Sequence, residues 1–308
     1  MTQAQKNITT RVVSSFIPST HAAGSNSAQG NPAGVVLDAD GLTDGEMLEI
    51  AAKIGLSETA FVSASRTEGF KLDFFTPTRR IAHCGHATIA AFSILADLGK
   101  VEDGLTSKET VDGPRKIIIR NGEAFMEQLA PRYETSEAWS ARNVSTADVL
   151  NSLGLAEADL APGAAPIVVN TGNRFMIIGV NSTAALRGLQ PDQQAIESIS
   201  EALDLIGYYV FTQGDAAAGH DAATRMFAPR YGIEEESGTG MAAGPLACFL
   251  HDKLGMEKAE FLISQGAFMT PSSPSEIKVS LDLDAGGAIG GLMAGGRGRV
   301  SEERVISI

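Results

Sequence analysis

The sequence predicts an α+β fold made of two similar halves, each with strands packed around an apolar helix. The first observation is an internal repeat, in which Phe75-Thr76-Pro77 is followed by Cys84-Gly85-His86 and then by a helix of small apolar residues. A weaker copy runs from Phe227-Ala228-Pro229 through Ser237-Gly238-Thr239-Gly240 into a second apolar helix. The second observation is that the first helix has almost no polar face, which is typical of a helix buried on all sides. The two copies lie about half the chain apart, so the repeat organises the whole sequence.

Length and composition agree with two domains. The chain has 308 residues, of which 44% are hydrophobic and 20% charged, and a domain commonly takes roughly 150 residues. Such a composition supports sizeable cores. We place the halves at residues 1–129 and 130–308, because the sequence turns polar near the boundary, and we allow the last strand to return to the first half.

Charge and cysteine content exclude several classes of protein. A formal net charge of −13 argues against nucleic acid and anionic membrane as partners. No apolar run reaches the roughly 18 residues of a membrane span, and the polar start lacks a signal-peptide core, so we expect a cytoplasmic protein. The cysteines, Cys84 and Cys248, have no partners at ligand spacing, which predicts neither a disulfide framework nor a metal site.

In the first half, Thr43 and Glu46 predict a capping box at the start of a helix that ends at Gly55. The apolar helix follows at residues 85–98, and Asn121-Gly122 predicts a tight hairpin. Strands are predicted at residues 11–17, 35–37, 56–62, 71–75, 117–119 and 124–128.

In the second half, helices are predicted at residues 145–153, 192–203 and 241–254. The glycine-rich run at residues 286–298 lacks the Lys-Ser/Thr pair and the following helix of a phosphate-binding loop, so we interpret it as tight turns between strands. Strands are predicted at residues 167–170, 175–180, 208–212, 261–263, 277–283 and 299–308.

The two polar turns before the apolar helices are candidate binding sites. N–H groups at a helix start have no partner within the helix and carry about half a positive charge. The helices start near Gly85 and Gly240, and two such starts facing each other across a cleft would bind an anion such as a carboxylate.

Glu58 is a candidate acid/base residue. If residues 56–62 form a strand, Glu58 lies on the same side as the apolar Ala60 and Val62. One interpretation is that Glu58 starts the strand at its solvated end. The other is that it is buried, where desolvation suits a carboxyl group to general acid/base catalysis.

Cys84 is a second candidate, either as a thiolate activated by a helix start or as a small packing residue. Racemases with two thiol bases need a second cysteine at the corresponding position of the repeat, where this chain has Ser237. An unassisted serine hydroxyl is no base near neutral pH, and Cys248 lies deep inside its helix. The residues therefore disfavour symmetric two-thiol chemistry.

His86 lies at the turn before the first apolar helix and Glu236 at the turn before the second. Both residues also have a purely structural interpretation. A histidine such as His83 or His86 is often structural. The carboxylates of residues 234–236 stabilise the dipole of the helix that follows, which would account for at least two of the three.

Several segments together carry a resemblance to a known family. In order and spacing they resemble the PhzF-like phenazine-biosynthesis family of isomerases, which is similar in fold to the diaminopimelate epimerases. The resemblance implies that each half is a β-barrel-like sheet around a central buried helix with the active site between the halves, that no metal or organic cofactor is needed, and that the protein is a homodimer. The segments are GNPAGVV (30–36), LSETAFV (56–62), FFTPTRRIAHCGHAT (74–88), RMFAPRYGIEEESGTGMAAGPLA (225–247) and SQG (264–266).

The resemblance also implies roles for particular residues. Glu58 matches the family's general acid/base, His86 matches its histidine, and Glu236 stands where the family usually has aspartate. Ser237 replaces a usual proline, Met241 a usual serine and Arg80 a usual acidic residue. The longer acid at Glu236 and the lost serine hydroxyl at Met241 concern the substrate more than the fold. The substrate-binding positions implied at the two helix starts are Gly85, Cys84, Ser237, Gly240 and Met241.

We therefore predict a cofactor-independent isomerase that moves a proton on a small carboxylate-bearing substrate, with Glu58, His86 and Glu236 as catalytic residues. One alternative is a racemase, epimerase or dehydratase of amino or imino acids that uses Cys84 as a base. Another is a binding or regulatory protein that keeps the fold without turnover.

Overall fold

The computed structural model describes residues 6–19, 29–213 and 219–308, and strands dominate this part of the chain. The strands are β1 (Asn7–Ser15), β2 (Asn31–Val36), β3 (Thr59–Ser63), β4 (Phe70–Phe75), β5 (Arg80–Ile81), β6 (Gly104–Thr110), β7 (Gly113–Arg120), β8 (Glu123–Leu129), β9 (Arg132–Glu134), β10 (Ile167–Asn170), β11 (Arg174–Gly179), β12 (Gly207–Thr212), β13 (Ala222–Ala228), β14 (Ile233–Glu236), β15 (Glu260–Gln265), β16 (Ser275–Leu283), β17 (Ile289–Gly296) and β18 (Gly298–Ser307). The α-helices are α1 (Asp44–Ile54), α2 (Gly85–Asp97), α3 (Ser136–Trp139), α4 (Thr146–Asn151), α5 (Thr183–Arg187), α6 (Gln193–Leu203) and α7 (Gly240–Asp252).

The chain divides into two compact units. Unit 1 consists of residues 1–127 and 295–308, and unit 2 consists of residues 128–294. The last strand, β18, thus belongs to the first unit. Both units combine strands with helices, in agreement with the predicted α+β class. None of the helices among the described residues has the length and apolar character that a membrane crossing requires.

The sheet of unit 1 packs against α2. Its strands pair in the order β18, β1, β2, β3, β4, β6, β7 and β8, with parallel pairing between β2 and β3 and between β4 and β6. Helix α2 contacts β1, β2, β3 and β18, and residues 85–95 are all buried. The absence of a polar face on this helix therefore reflects burial on all sides, as predicted.

Small residues bring α2 close to β18. The N–H of Gly298 donates to Ser93 Oγ at 2.9 Å. A Cβ atom at Gly298 would lie 2.8 Å from the same oxygen, closer than real contacts allow. The start of β18 is thus fitted to the middle of α2.

Two local predictions in unit 1 are confirmed. Thr43 caps α1 in a capping box with Glu46, and Gly55 ends the helix in the left-handed conformation with φ 71°. Asn121 and Gly122 have φ 52° and 72°, the pair of positive values that a two-residue hairpin turn between β7 and β8 requires.

In unit 2, strands β9 to β13 pair in sequence order, with β11 and β12 parallel. Strands β14 and β15 both pair with β13, and β16 pairs with β15. Helix α7 contacts β10, β11 and β16, and all of its residues from Ala242 to Leu250 are buried. A cluster of buried hydrophobic side chains in unit 2 includes Trp139, Ile196 and Tyr208.

The glycine-rich run was predicted as turns, and this prediction is wrong for most of its length. Only the segment before Ile289 is a turn, in which Asp284 Oδ1 accepts hydrogen bonds from the N–H groups of Gly286 and Ala288 at 2.8 and 2.9 Å. Residues 289–296 form β17. A Cβ atom at Gly295 would lie 2.0 Å from the carbonyl oxygen of Ala124, so glycine here permits a close backbone approach rather than a bend.

Candidate active site

Glu58 lies directly before β3 and is buried, with an exposed fraction of 8%. Its carbonyl oxygen accepts a hydrogen bond from the N–H of Gly34 on β2 at 2.9 Å, which holds the backbone at the start of the strand. Glu58 therefore stands at a strand start, and of its two interpretations the buried one is correct and the solvated one is wrong. The reason is tertiary, because β2 and the start of α2 cover this end of β3.

The start of α2 brings Cys84 and His86 to Glu58. Cys84 is the N-cap residue of α2 with an extended backbone, φ −145° and ψ 125°. Its Sγ lies 3.6 Å from His86 Nδ1. His86 Nε2 lies 3.3 Å from Glu58 Oε2, without the alignment of a good hydrogen bond. The imidazole thus contacts the thiol with one nitrogen and the carboxylate with the other.

The backbone of this turn is also anchored to β1. Ser15 Oγ donates a hydrogen bond to the carbonyl oxygen of His86 at 2.7 Å, in a buried position. The side chain of His86 is itself buried, with 5% of the residue exposed. Strand β1 therefore fixes where the imidazole enters the site.

Burial raises the pKa of the Cys84 thiol, whereas the neighbouring His86 ring acts in the opposite direction and is the weaker influence. The thiol is therefore protonated near neutral pH. Because the thiolate is the reactive form of cysteine, this environment does not support the interpretation of Cys84 as an activated thiolate.

Three groups of the kind that bind metal ions lie close together, since one ligand atom from each of Glu58, Cys84 and His86 lies within 4.8 Å of the others. The thiol and the carboxylate, however, lie nearest to different nitrogens of the imidazole. A metal ion takes one nitrogen from a histidine. The contacts fit an acid/base group better than a metal centre.

In unit 2, Glu236 ends β14 and the turn of residues 237–239 leads into α7. The Thr239 hydroxyl donates a hydrogen bond to Glu236 Oε2, and the Thr239 N–H donates to Gln265 Oε1 at 3.0 Å. Ser237 is buried, with 6% exposed. The carboxylate of Glu236 is therefore held by its own turn.

Gln265 is a residue that the sequence reasoning missed. It is 1% exposed, and its Nε2 donates to the carbonyl oxygen of Glu236 at 2.7 Å. Its Oε1 also accepts from the Tyr209 hydroxyl at 2.9 Å. Gln265 thus joins β12 and β15 to the turn before α7, and the only sequence signal for it was its place in the SQG segment.

The remaining positions predicted in unit 2 lie on the first turn of α7. The carbonyl oxygen of Gly240 accepts from Gln128 Nε2 at 2.9 Å. Met241 is half-buried, and its sulfur lies 3.4 Å from Asn173 Nδ2. Gly240 and Met241 thus follow directly on the turn that holds Glu236.

Of the three successive glutamates, Glu235 has a structural partner. Arg225 on β13 forms two hydrogen bonds to its carboxylate, both 2.8 Å long. Such a bidentate pair is a strong and directional contact. Glu234 is exposed, which leaves Glu236 as the member of the run that faces the turn.

Comparison with solved structures defines the class of protein. The chain is similar to the Bacillus anthracis phenazine biosynthesis protein of the PhzF family, with a TM-score of 0.84 and 25% sequence identity over 98% of this chain and 100% of that one. It also shares its fold with a hydroxyproline epimerase from Agrobacterium vitis, with a TM-score of 0.56 and 14% identity over 98% of this chain and 91% of that one. The fold is thus the two-half α+β fold of PhzF proteins and proline-racemase-like enzymes.

Sequence comparison gives the family. Residues 21–290 match the family described as Phenazine biosynthesis-like protein, PhzC-PhzF, and the chain belongs to this family. A relative from Clostridium acetobutylicum named an uncharacterized isomerase is 34% identical over 263 residues, covering 83% of this chain and 86% of the relative. The trans-2,3-dihydro-3-hydroxyanthranilate isomerase of Pseudomonas chlororaphis is 32% identical over 229 residues, covering 72% and 74%. The predicted enzyme class, an isomerase, is confirmed at the level of the family.

Proposed function

We propose that the protein is a cofactor-independent isomerase that moves a proton on a small carboxylate-bearing metabolite, with Glu58 as the acid/base group. The observation that carries the proposal is the buried Glu58 carboxylate beside His86 at the start of α2. A positioned carboxylate of this kind contributes about 100- to 10,000-fold to a proton transfer.

In the proposed reaction Glu58 removes a proton from a carbon of the substrate, and the electron pair of the C–H bond enters a conjugated system or an adjacent carbonyl group. The Glu58 carboxyl group then returns the proton to a different atom of the same molecule, a new bond to hydrogen forms, and the carboxylate is regenerated. His86 supports this cycle from the buried side of the carboxylate, because its Nε2 lies 3.3 Å from Glu58 Oε2.

The start of α2 suits the carboxylate of the substrate. The first N–H groups of a helix point away from it without intrahelical partners, and the helix dipole favours an anion there. We propose that Gly85 and Cys84 bind the substrate through this helix start. In unit 2 we propose a substrate-binding role for Ser237, Gly240 and Met241 and a catalytic role for Glu236, because these residues surround the corresponding start of α7.

The substrate named for the Pseudomonas relative, trans-2,3-dihydro-3-hydroxyanthranilate, is the first compound to test. Incubation of the protein with it in deuterated water, followed by NMR, should reveal deuterium at the carbon that receives the proton. A panel of small unsaturated carboxylates extends the test, because Glu236 and Met241 depart from the family pattern. Absence of isotope exchange in every compound that binds would favour the binding or regulatory alternative.

The contact of 3.6 Å between Cys84 Sγ and His86 Nδ1 supports a second candidate, an epimerase or racemase that uses the thiol as a base. Treatment with a small alkylating reagent distinguishes the two. If Glu58 is the base, the Cys84→Ala protein should keep its turnover, and the reagent should not lower it by modifying residue 84. If the Cys84 thiol is the base, the substitution itself should abolish turnover.

A homodimer and a cytoplasmic location remain predictions. Sedimentation of the purified protein would measure the oligomeric state, and fractionation of the source cells would locate it. Nucleic acid is not proposed as a partner, because the formal net charge of −13 would repel it.

A further inference from the structure

Lys108 on β6 is a fully buried lysine with 0% of the residue exposed, and the proposed reaction does not use it. Its Nζ donates a hydrogen bond to Thr88 Oγ1 at 2.6 Å and lies 3.1 Å from His83 Nδ1. The face of the Phe74 ring is 5.0 Å away, measured to the centroid. These contacts are a hydroxyl, an imidazole and an aromatic ring, none of which carries the negative charge that usually accompanies a buried ammonium group.

Through Thr88, Lys108 is connected to Cys84, the N-cap residue of α2. Thr88 accepts from Lys108 and donates through the same hydroxyl to the carbonyl oxygen of Cys84 at 2.6 Å. The backbone N–H of Thr88 reaches that carbonyl oxygen at the longer distance of 3.3 Å. The short hydroxyl contact, which Lys108 orients, therefore holds the carbonyl group at the N-cap of α2.

Lys108 also contacts His83, the residue before Cys84. Desolvation lowers the pKa of His83 well below its ordinary value, and the positive charges of Lys108 and Arg115 lower it further. The ring is therefore neutral, and its Nδ1 can accept a hydrogen bond from the Lys108 amine. Lys108 thus contacts the segment of residues 83–86 through His83 and, by way of Thr88, through Cys84.

We propose that Lys108 is a positioning residue for the active site: it holds the turn of residues 83–86 so that the imidazole of His86 stays against Glu58. The consequence for turnover rests on the proposed function, whereas the effect on the turn does not. Lys108 is not itself a catalytic residue, because no part of it is exposed to a substrate.

A purely structural role makes a different prediction. Burial of an ammonium group without a carboxylate costs stability, so an apolar side chain of similar length should serve the core at least as well. If Lys108 is kept for the turn, Lys108→Met should leave the free energy of unfolding unchanged or raise it near neutral pH, and should loosen the start of α2. If Lys108 only fills the core, methionine should fill it equally well, and exchange throughout unit 1, including the start of α2, should stay as in the wild type.

The pH dependence supplies a direct check of the buried amine. Burial lowers the pKa of Lys108 from 10.5 to about 7; the groups facing it, Cys84 and Asp112, oppose this shift, and Arg115 adds to it. The unfolded chain therefore binds more protons than the folded chain between these values, and stability gained from this group rises with pH across that window. The free energy of unfolding of the wild type, minus that of Lys108→Met, should rise from about pH 7 to pH 10.5.

The main experiment is amide hydrogen exchange by mass spectrometry on the full chain. We expect peptides covering residues 86–92 to exchange at least about tenfold faster in Lys108→Met and in Thr88→Val, with other α2 and β-strand peptides unchanged. Thr88→Ser keeps the hydroxyl and should match the wild type. Lys116→Met is the matched control, because Lys116 is an exposed lysine of the same unit, paired with Glu127 at 2.9 Å.

Each result decides the question. Unchanged exchange at the start of α2 in both Lys108→Met and Thr88→Val overturns the proposal, and so does uniform loosening of unit 1 in Lys108→Met. If Lys108→Met does not fold, Thr88→Val against Thr88→Ser still tests the connection through Cys84. With a substrate that is turned over, kcat should fall about tenfold or more in Lys108→Met while KM changes less, since small misplacements of catalytic groups are costly. Failure to find any substrate would count against the proposed function and leave the exchange test intact.

Discussion

Glu58 is a carboxylate buried at a strand start, and its close neighbour is a histidine rather than an arginine or lysine. A carboxylate paired with a permanent cation is held in one protonation state. The neighbour of Glu58 is instead an imidazole, whose ring nitrogens can donate or accept a hydrogen bond. This contact is the reason why we propose an acid/base role for Glu58.

Glu58→Gln should abolish deuterium transfer from solvent to the substrate and lower kcat at least about 100-fold, while binding of the substrate is kept. The amide has nearly the same shape but cannot accept a proton. Glu109→Gln is the control, since Glu109 is a glutamate of the same unit that accepts a hydrogen bond from Ser65 Oγ at 2.6 Å and lies outside the proposed site. Wild-type turnover in a folded Glu58→Gln protein would remove the acid/base role.

Cys84→Ala should fold and retain most of its turnover. Burial raises the pKa of the thiol, so its sulfur is protonated and a poor base, and the backbone N–H groups of the helix start remain after the substitution. Cys248→Ala in the buried part of α7 controls for the loss of a packed sulfur. A fall in kcat of about 1,000-fold in the Cys84 variant alone, which lies within the range for loss of a general base, would establish the thiol mechanism instead.

At the scale of single elements, the turn before α7 is shaped by the backbone of the SQG segment. Gly266 has φ 78°, and a Cβ atom there would lie 2.2 Å from the carbonyl oxygen of Ser273 and 2.6 Å from that of Ser237. Glycine is needed here both for the left-handed backbone and for the close approach of two other chain segments. The turn that follows Glu236 therefore depends on Gly266 because this residue has no side chain.

Gly266→Ala should lower the free energy of unfolding by about 3 kcal/mol or more, because backbone strain and steric overlap add. Gly232→Ala is the matched control. Gly232 has a similar φ of 76°, but a Cβ atom there would have no other atom within 4 Å, so only the strain of about 1 kcal/mol should remain. Urea unfolding followed by circular dichroism measures both, and equal losses would contradict the steric argument.

At the scale of the whole molecule, unit 1 is completed by the end of the chain. Strand β18 pairs with β1 from Asn7 opposite Ser307 to Ser15 opposite Gly298, and its first residue contacts Ser93 in the middle of α2. Residues from opposite ends of the sequence thus share one ladder. Their pairing fixes the strand from which Ser15 anchors the turn of His86.

A chain that ends at Ala294 should lose the cooperative structure of unit 1, because β1 loses one of its two neighbours and α2 loses part of its cover. Hydrogen exchange should show loss of protection in β1, β2 and α2, with strands of unit 2 such as β12 still protected. A synthetic peptide of residues 295–308 added to the truncated chain serves as the control and should restore protection. Full protection of β1 without it would show that β18 is dispensable.

The sequence by itself determined the features that depend on neighbours along the chain. The capping box of Thr43 and Glu46, the Asn121-Gly122 hairpin and the buried character of α2 and α7 follow from short patterns, since caps, turns and helix faces are formed within a few residues. The family motifs also placed Cys84, Gly85 and His86 at a helix start. For these features the structure and the prediction agree.

Only the tertiary structure decided which of these residues are buried and what they contact. The local pattern of Glu58 also suits a solvated strand end, and its burial follows only from the packing of β2 and α2 against β3. Lys108 and Thr88 are 20 residues apart and Gln265 and Thr239 are 26 apart, and nothing in the local sequence pairs them. The glycine-rich β17 was mistaken for turns for the same reason, because the close approach of Gly295 to Ala124 arises from a segment far away in the chain. Burial and hydrogen-bond partners depend on long-range packing, whereas secondary structure signals are local.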